Sequence, residues 1–246
     1  MFKKLMATVG IGGAKVDTIL LTHSLIPGGL LEAEIHIDAG DVEQHINGLD
    51  LALCTQMKVE TDDDAQWQTH ILQRWRVCEE RTLSAGEQLI VPLSEPIHAE
   101  TPVTELPLAH HQTRVWLTTG LDISLALDAS DTDSLKVAPN PAMIACMQAM
   151  DTLGYDLFKA DVEHGYLRGQ QFQSQSGCYQ ELEYRPNQRS WLGVKEVELS
   201  FIAEEEYTHA LVEIDRAFRG DGYHTLTLPQ DVSAEAVQQQ LQALLS

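Results

Sequence analysis

Apolar and polar side chains alternate along most of the chain. Leu31, Ala33, Ile35 and Ile37 are interleaved with Glu32, Glu34, His36 and Asp38, the period of a strand with one face in a core and one in water. Leu49, Leu51, Leu53, Met57 and Val59 repeat the habit, Asp62-Asp63-Asp64 breaks it, and Trp67, Thr69, Ile71, Trp75 and Val77 resume it. That arrangement predicts a long antiparallel hairpin. Further strands are predicted at 14–22, 87–93, 112–119 and 121–127. The polar, proline-punctuated residues 128–141 read as a linker. Asn140 before Pro141 predicts a helix near 141–153, closed by Gly154, with Met143, Met147 and Met150 on a core-facing side. Strands return at 155–162, 178–184, 197–201, 207–216 and 224–228. Ser233 opens a terminal helix near 233–245, with Val237, Leu241, Leu244 and Leu245 on one face. The expected fold is mainly β: two antiparallel β-sandwich domains, residues 1–128 and 129–246, with a short N-terminal helix, one helix early in the second domain and a C-terminal helix.

Length agrees with this division, since 246 residues allow two domains that each bury a core. Charge adds more. There are 37 acidic and 16 basic residues, a net charge of −21, of which −11 falls before residue 129 and −10 after it. A nucleic-acid partner needs clustered Lys and Arg, so that class is excluded. Electrostatic docking of the whole chain to an anionic membrane is excluded likewise. Protein partners with basic segments are favoured. No apolar run reaches the length of a membrane-spanning helix, and the first residues lack the pattern of an export signal. Cys54, Cys78, Cys146 and Cys178 form no C-x-x-C pair, which predicts reduced thiols and a cytoplasmic location.

Motifs for chemistry are scarce. Gly10-Ile11-Gly12-Gly13 lacks the phosphate-loop spacing, and neither G-x-S-x-G nor H-E-x-x-H occurs. His98, His110 and His111 offer three imidazoles to a metal-dependent hydrolase, but adjacent strand residues face opposite ways, so the pair must lie in a loop. Asp62-Asp63-Asp64 and the set Asp128, Asp131, Asp133 are fragments of calcium loops without the closing Gly and Glu. Glu204-Glu205-Glu206 reads as a charged turn. Asp215, Arg216 and Arg219 admit two readings, a latch between domains or a surface pair. In residues 1–9, Phe2, Leu5, Met6 and Val9 share a side with Lys3 and Lys4 nearby. Such a helix suits a membrane surface, a partner or a neighbouring subunit, and the C-terminal helix offers a second homo-oligomer contact. Trp67, Trp75, Trp116 and Trp191 suit core packing or a ligand pocket. No catalytic residue, cofactor site or metal site is assigned.

The residues also carry a family resemblance. The opening Phe2-Lys3-Lys4-Leu5-Met6-Ala7-Thr8-Val9-Gly10-Ile11-Gly12, then Ala14-Lys15-Val16-Asp17-Thr18, Pro27-Gly28-Gly29 and Gly40 to Gly48, resembles the SpoOM sporulation-control family. So do Ala126-Leu127-Asp128, Pro139-Asn140-Pro141, Leu153-Gly154-Tyr155 and Glu213-Ile214-Asp215-Arg216. The resemblance implies an arrestin-like arrangement of two sandwiches and a non-enzymatic cytoplasmic regulatory or scaffold protein, binding partners through sheet edges or the groove between domains. It supplies no catalytic or ligand residues.

Overall fold

Among the described residues, thirteen strands and two helices form where the alternating and helical patterns place inward apolar residues. The computed structural model describes residues 13–60, 65–124, 128–169, 172–188, 193–217 and 220–246. The strands before the first helix are β1 (Lys15–Leu20), β2 (Leu30–Asp38), β3 (Gln44–Glu60), β4 (Ala65–Cys78), β5 (Arg81–Leu83), β6 (Gln88–Pro96), β7 (Val115–Ile123) and β8 (Ala129–Ser134). Helix α1 (Pro141–Thr152) leads to β9 (Tyr155–His164), β10 (Cys178–Pro186), β11 (Val194–Ala203), β12 (Tyr207–Arg216) and β13 (Gly220–Pro229), and α2 (Ala234–Leu245) ends the described chain. Neither helix is long and apolar enough to cross a membrane. The predicted N-terminal helix lies outside the described residues.

Three strands form a small sheet, ordered β1-β2-β6. The other ten are linked in one ladder, β13-β12-β11-β10-β9-β3-β7-β8, with β4 and β5 also on β3. All pairs are antiparallel except β3 with β9, which share a single parallel step, Lys58 to Glu163. Two cores result. The first joins Leu31, Ile35 and Ile37 of β2 to Leu49, Leu51 and Leu53 of β3 and Leu117 and Leu121 of β7. The second puts Met150 of α1 and Val237 and Leu241 of α2 against Leu182, Leu199, Val212 and Leu228. Met143 and Met150 of the expected Met stripe are buried, whereas Met147 is half-buried and lines an open cleft with Ile144 and Gln148.

The long hairpin is β3 and β4. Two expectations are corrected. The pattern predicts two strands, 112–119 and 121–127, but β7 runs unbroken through Gly120, because Val115, Leu117, Thr119, Leu121 and Ile123 all face inward; residues 125–127 lie outside the described residues. Thr119 hides that continuity, being a polar inward residue whose hydroxyl is 2.6 Å from that of Thr18. The predicted linker contains β8, which pairs with β7 from Trp116↔Ser134 to Leu121↔Ala129. Its half-buried positions are Ala129, Asp131 and Asp133. Asp131 Oδ2 accepts from the Thr18 backbone N–H at 2.8 Å, and burial beside Asp131 and Asp17 pushes Asp133 up to about 6.

Asn140 starts α1 as predicted. Its Oδ1 accepts from Met143 N at 3.0 Å, and its Nδ2 donates to the Thr208 hydroxyl at 2.9 Å. Losing the cap costs about 1 kcal/mol, and the unpaired buried groups add to it. Asn140→Ala is therefore expected to lose about 2 kcal/mol, read from the urea midpoint. A loss below a few tenths would refute that account of the helix start.

Candidate functional site

One face of the sheet β9–β12 packs on the helices, and the other collects charge. Residues of the same parity recur on neighbouring strands: Lys159, Asp161 and Glu163 on β9, Tyr179, Glu181 and Glu183 on β10, Glu196 and Glu198 on β11, Glu213 on β12. The register sets Glu163 beside Tyr179, Asp161 beside Glu181 and Lys159 beside Glu183. It continues with Glu183 beside Glu198 and Glu198 beside Glu213. At one end the loop after β9 covers the face, with Leu167 and Phe172 against Ile202 and Phe172 stacked on His209 at 4.8 Å. At the other, the end of β3 brings Lys58 and Glu60 to a cleft of about 470 Å³ shared with Lys159, Glu163, Glu181 and Glu198.

Three bases meet part of the charge. Lys58 Nζ lies 2.8 Å from Glu163 Oε1. Lys159 bridges Asp161 Oδ2, at 3.0 Å, and Glu183. Arg185 lies 3.1 Å from Glu196 and stacks over Phe158 at 3.6 Å. Glu181, Glu198 and Glu213 have no ion pair among the described residues. Burial, then the charges of Glu198, Glu163, Asp161 and Glu183, pushes Glu181 up to about 8. Burial, then Glu213, Glu183 and Glu196, pushes Glu198 up to about 7. Burial opposes the charge of Lys159, but Glu183 and Asp161 outweigh it and hold its pKa up. Half-buried carboxylates crowded beyond their supply of bases form an attractive seat for an external cation.

The residues singled out from sequence lie elsewhere. His98, His110 and His111 are not brought together; among the described residues every group of potential metal-ligating side chains is made of carboxylates. His98 Nδ1 instead accepts from Glu100 N at 3.1 Å. Asp215 lies 3.4 Å from Lys195 in an exposed pair. Arg216 donates to Leu244 O at 2.6 Å and Leu245 O at 3.4 Å, so it satisfies free carbonyls at the end of α2. These contacts fall among residues 195–245, and Arg219 lies outside the described residues. So do Phe2, Lys3, Lys4, Leu5, Met6 and Val9, the Asp62-Asp63-Asp64 run and Trp191. Trp67 and Trp116 line an open cleft of about 490 Å³, whereas Trp75 packs on the first core. Glu204-Glu205-Glu206 is the exposed turn between β11 and β12. No cysteine is in a disulfide, and burial pushes the Cys146 thiol up to about 12 and the Cys178 thiol up to about 11, which keeps both protonated and poorly nucleophilic at neutral pH.

The family profile described as SpoOM protein matches residues 2–218. The sporulation-control protein spo0M of Bacillus subtilis (strain 168) is 32% identical over 220 residues, which are 89% of this chain and 82% of that protein. The crystal structure of Spo0M from Bacillus subtilis superposes with a TM-score of 0.82 at 28% identity, covering 96% of this chain and 98% of that one.

Proposed function

The chain belongs to the SpoOM protein family, and on that premise we propose that it is a cytoplasmic regulatory protein of the sporulation-control type that works by binding protein partners and not by transforming a substrate. The observation that carries the binding mode is the carboxylate face of β9–β12, where Glu181, Glu198 and Glu213 have no ion pair among the described residues. A basic segment of a partner supplies the missing charge. Such a contact is guided over long range and weakened by salt.

The arrestin-like division into two sandwiches belongs to the same reading. It is supported by the two cores, the first of which also takes in Val162 of β9 and Cys178 of β10, and by the single parallel step between β3 and β9. Since β8 pairs with β7, the division is better placed at residues 135–140 than at 128. The cleft then becomes the groove between domains. The outer edges of β4 and β13, each with a ladder on one side only, are further places where a partner strand could add. Four cysteines outside disulfides suit a reducing compartment.

Pull-downs from native lysate of the source cells, with chelator present, test the reading at ~50 mM and ~500 mM salt. The full chain is expected to retain specific partners at low salt, lose them at high salt, and lose at least nine-tenths of them on the double substitution Glu198→Gln, Glu213→Gln. Equal recovery with the double variant, or no specific partner at low salt, refutes it.

A further inference from the structure

Within the acidic face two overlapping groups bring three carboxylates together, Asp161, Glu181 and Glu183, and Glu183, Glu196 and Glu198, and the first is the more buried. One carboxylate oxygen from each of Asp161, Glu181 and Glu183 lies within 4.8 Å of the other two. Ligand oxygens around one calcium ion sit 2.3–2.6 Å from it, so they are separated by up to about 5 Å across the ion, and the spacing fits. A second observation points the same way. The Asp161 side chain is 1% exposed. Its Oδ2 takes Lys159, while its Oδ1 is buried with no hydrogen-bond partner. A buried carboxylate oxygen without a partner carries an uncompensated desolvation cost. Asp133 Oδ2 is also buried and unpartnered, but it belongs to no three-carboxylate group.

We propose that Asp161, Glu181 and Glu183 bind a divalent cation of the calcium class, with Asp161 Oδ1 as the innermost ligand. All three donors are hard oxygens, with no imidazole or thiolate in the group, so calcium is favoured over zinc. Three ligands from adjacent strands leave the remaining positions to water on the open side of the cleft, where calcium's loose geometry is more easily met than magnesium's octahedron. Charge also balances. With all three carboxylates ionised, as a bound ion would require, the group less Lys159 carries −2, which one divalent ion cancels, and Lys58 already neutralises neighbouring Glu163. Lys159 is the built-in competitor, so the site is weak, with Kd on the order of 10⁻⁴ M. This inference does not rest on the partner-binding reading, because the isolated chain is enough to test it.

The test is isothermal titration of the metal-stripped, tag-free full chain with calcium chloride alone. One saturable site is expected. Glu181→Gln, which removes a carboxylate and not a base, should weaken binding at least tenfold. Lys159→Met should tighten it wherever that variant remains folded. Glu95→Gln, an exposed carboxylate on β6, should leave it within twofold and so controls for the general field of an acidic protein. No saturable binding up to ~10 mM calcium, two decades above the expected Kd, overturns the proposal. So do equal losses in Glu181→Gln and Glu95→Gln, which would mean diffuse screening. No specific partner at low salt, or equal recovery with the Glu198→Gln, Glu213→Gln variant, alongside intact calcium binding would refute the partner reading and leave the cation site standing.

Discussion

Lys159→Met is expected to lose about 2–4 kcal/mol of stability at pH 7.5, set below the ~3–5 kcal/mol for breaking a fully buried ion pair because Lys159 is part-exposed. The base itself is 41% exposed, but the carboxylates it serves are 1% and 9% exposed. Removing it leaves Asp161 and Glu183 facing Glu181 and Glu198 with no ammonium between them. The part-exposure of Lys159 lets water screen some of the loss, so the lower end of the range is the firmer expectation. The loss should shrink as pH is lowered towards 6, because cleft carboxylates that cannot find a base then take up protons. It should shrink also in the double variant Lys159→Met, Glu183→Gln. Lys195→Met removes the same kind of side chain from the exposed pair with Asp215 and should cost less than about 1 kcal/mol. Urea unfolding of the three variants and the parent gives the comparison. If Lys159→Met and Lys195→Met lose equally little, Lys159 is not the keystone of this face.

The contrast between those two lysines cannot be read from the chain, and it marks where sequence reasoning ran out. Inward residues were legible because their period is the period of the strand: Leu31, Ile35 and Ile37 on β2, and Val197 and Leu199 on β11, are all buried. The caps Asn140 and Ser233 were legible because a helix start needs an acceptor for free backbone N–H groups, and both side chains supply one. β8 was not legible, because two of its three half-buried positions are Asp131 and Asp133, which pattern reading assigns to water. The carboxylate face failed for a similar reason. Glu196 and Glu198 sit on the polar phase of β11 and read as solvated. Their crowding depends on register, Glu183 beside Glu198 beside Glu213, and register between strands is a tertiary property. A usable signal was present. Carboxylates recur at one parity on four successive strands, at 161 and 163, 181 and 183, 196 and 198, and 213, with few bases among them.

A face built in this way works against folding, and that cost is measurable at Glu181. In the folded chain its pKa is about 8, while an unfolded Glu titrates near its ordinary value of about 4.3. Between those limits the folded state holds more protons than the unfolded state, so stability falls as pH rises from about 4.5 to 8 and stays reduced above that window. Glu181→Gln fixes the side chain in its neutral form at nearly the same volume. It is therefore expected to stabilise the chain at pH 7.5 by roughly 1–2 kcal/mol after allowance for screening, raising Tm by about 3–6 °C for a chain of this size. At pH 5 the parent carboxyl is itself protonated and the two proteins should melt nearly together. Glu198, pushed up to about 7, should show the same behaviour over a window that closes about one unit lower. Most substitutions destabilise, so a single-atom change that stabilises identifies a residue whose charge is retained for something other than the fold. If Glu181→Gln were neutral or destabilising at pH 7.5, the like-charge crowding would be relieved in solution, and both the basic-segment contact and the cation site would lose the unmet charge from which they were argued.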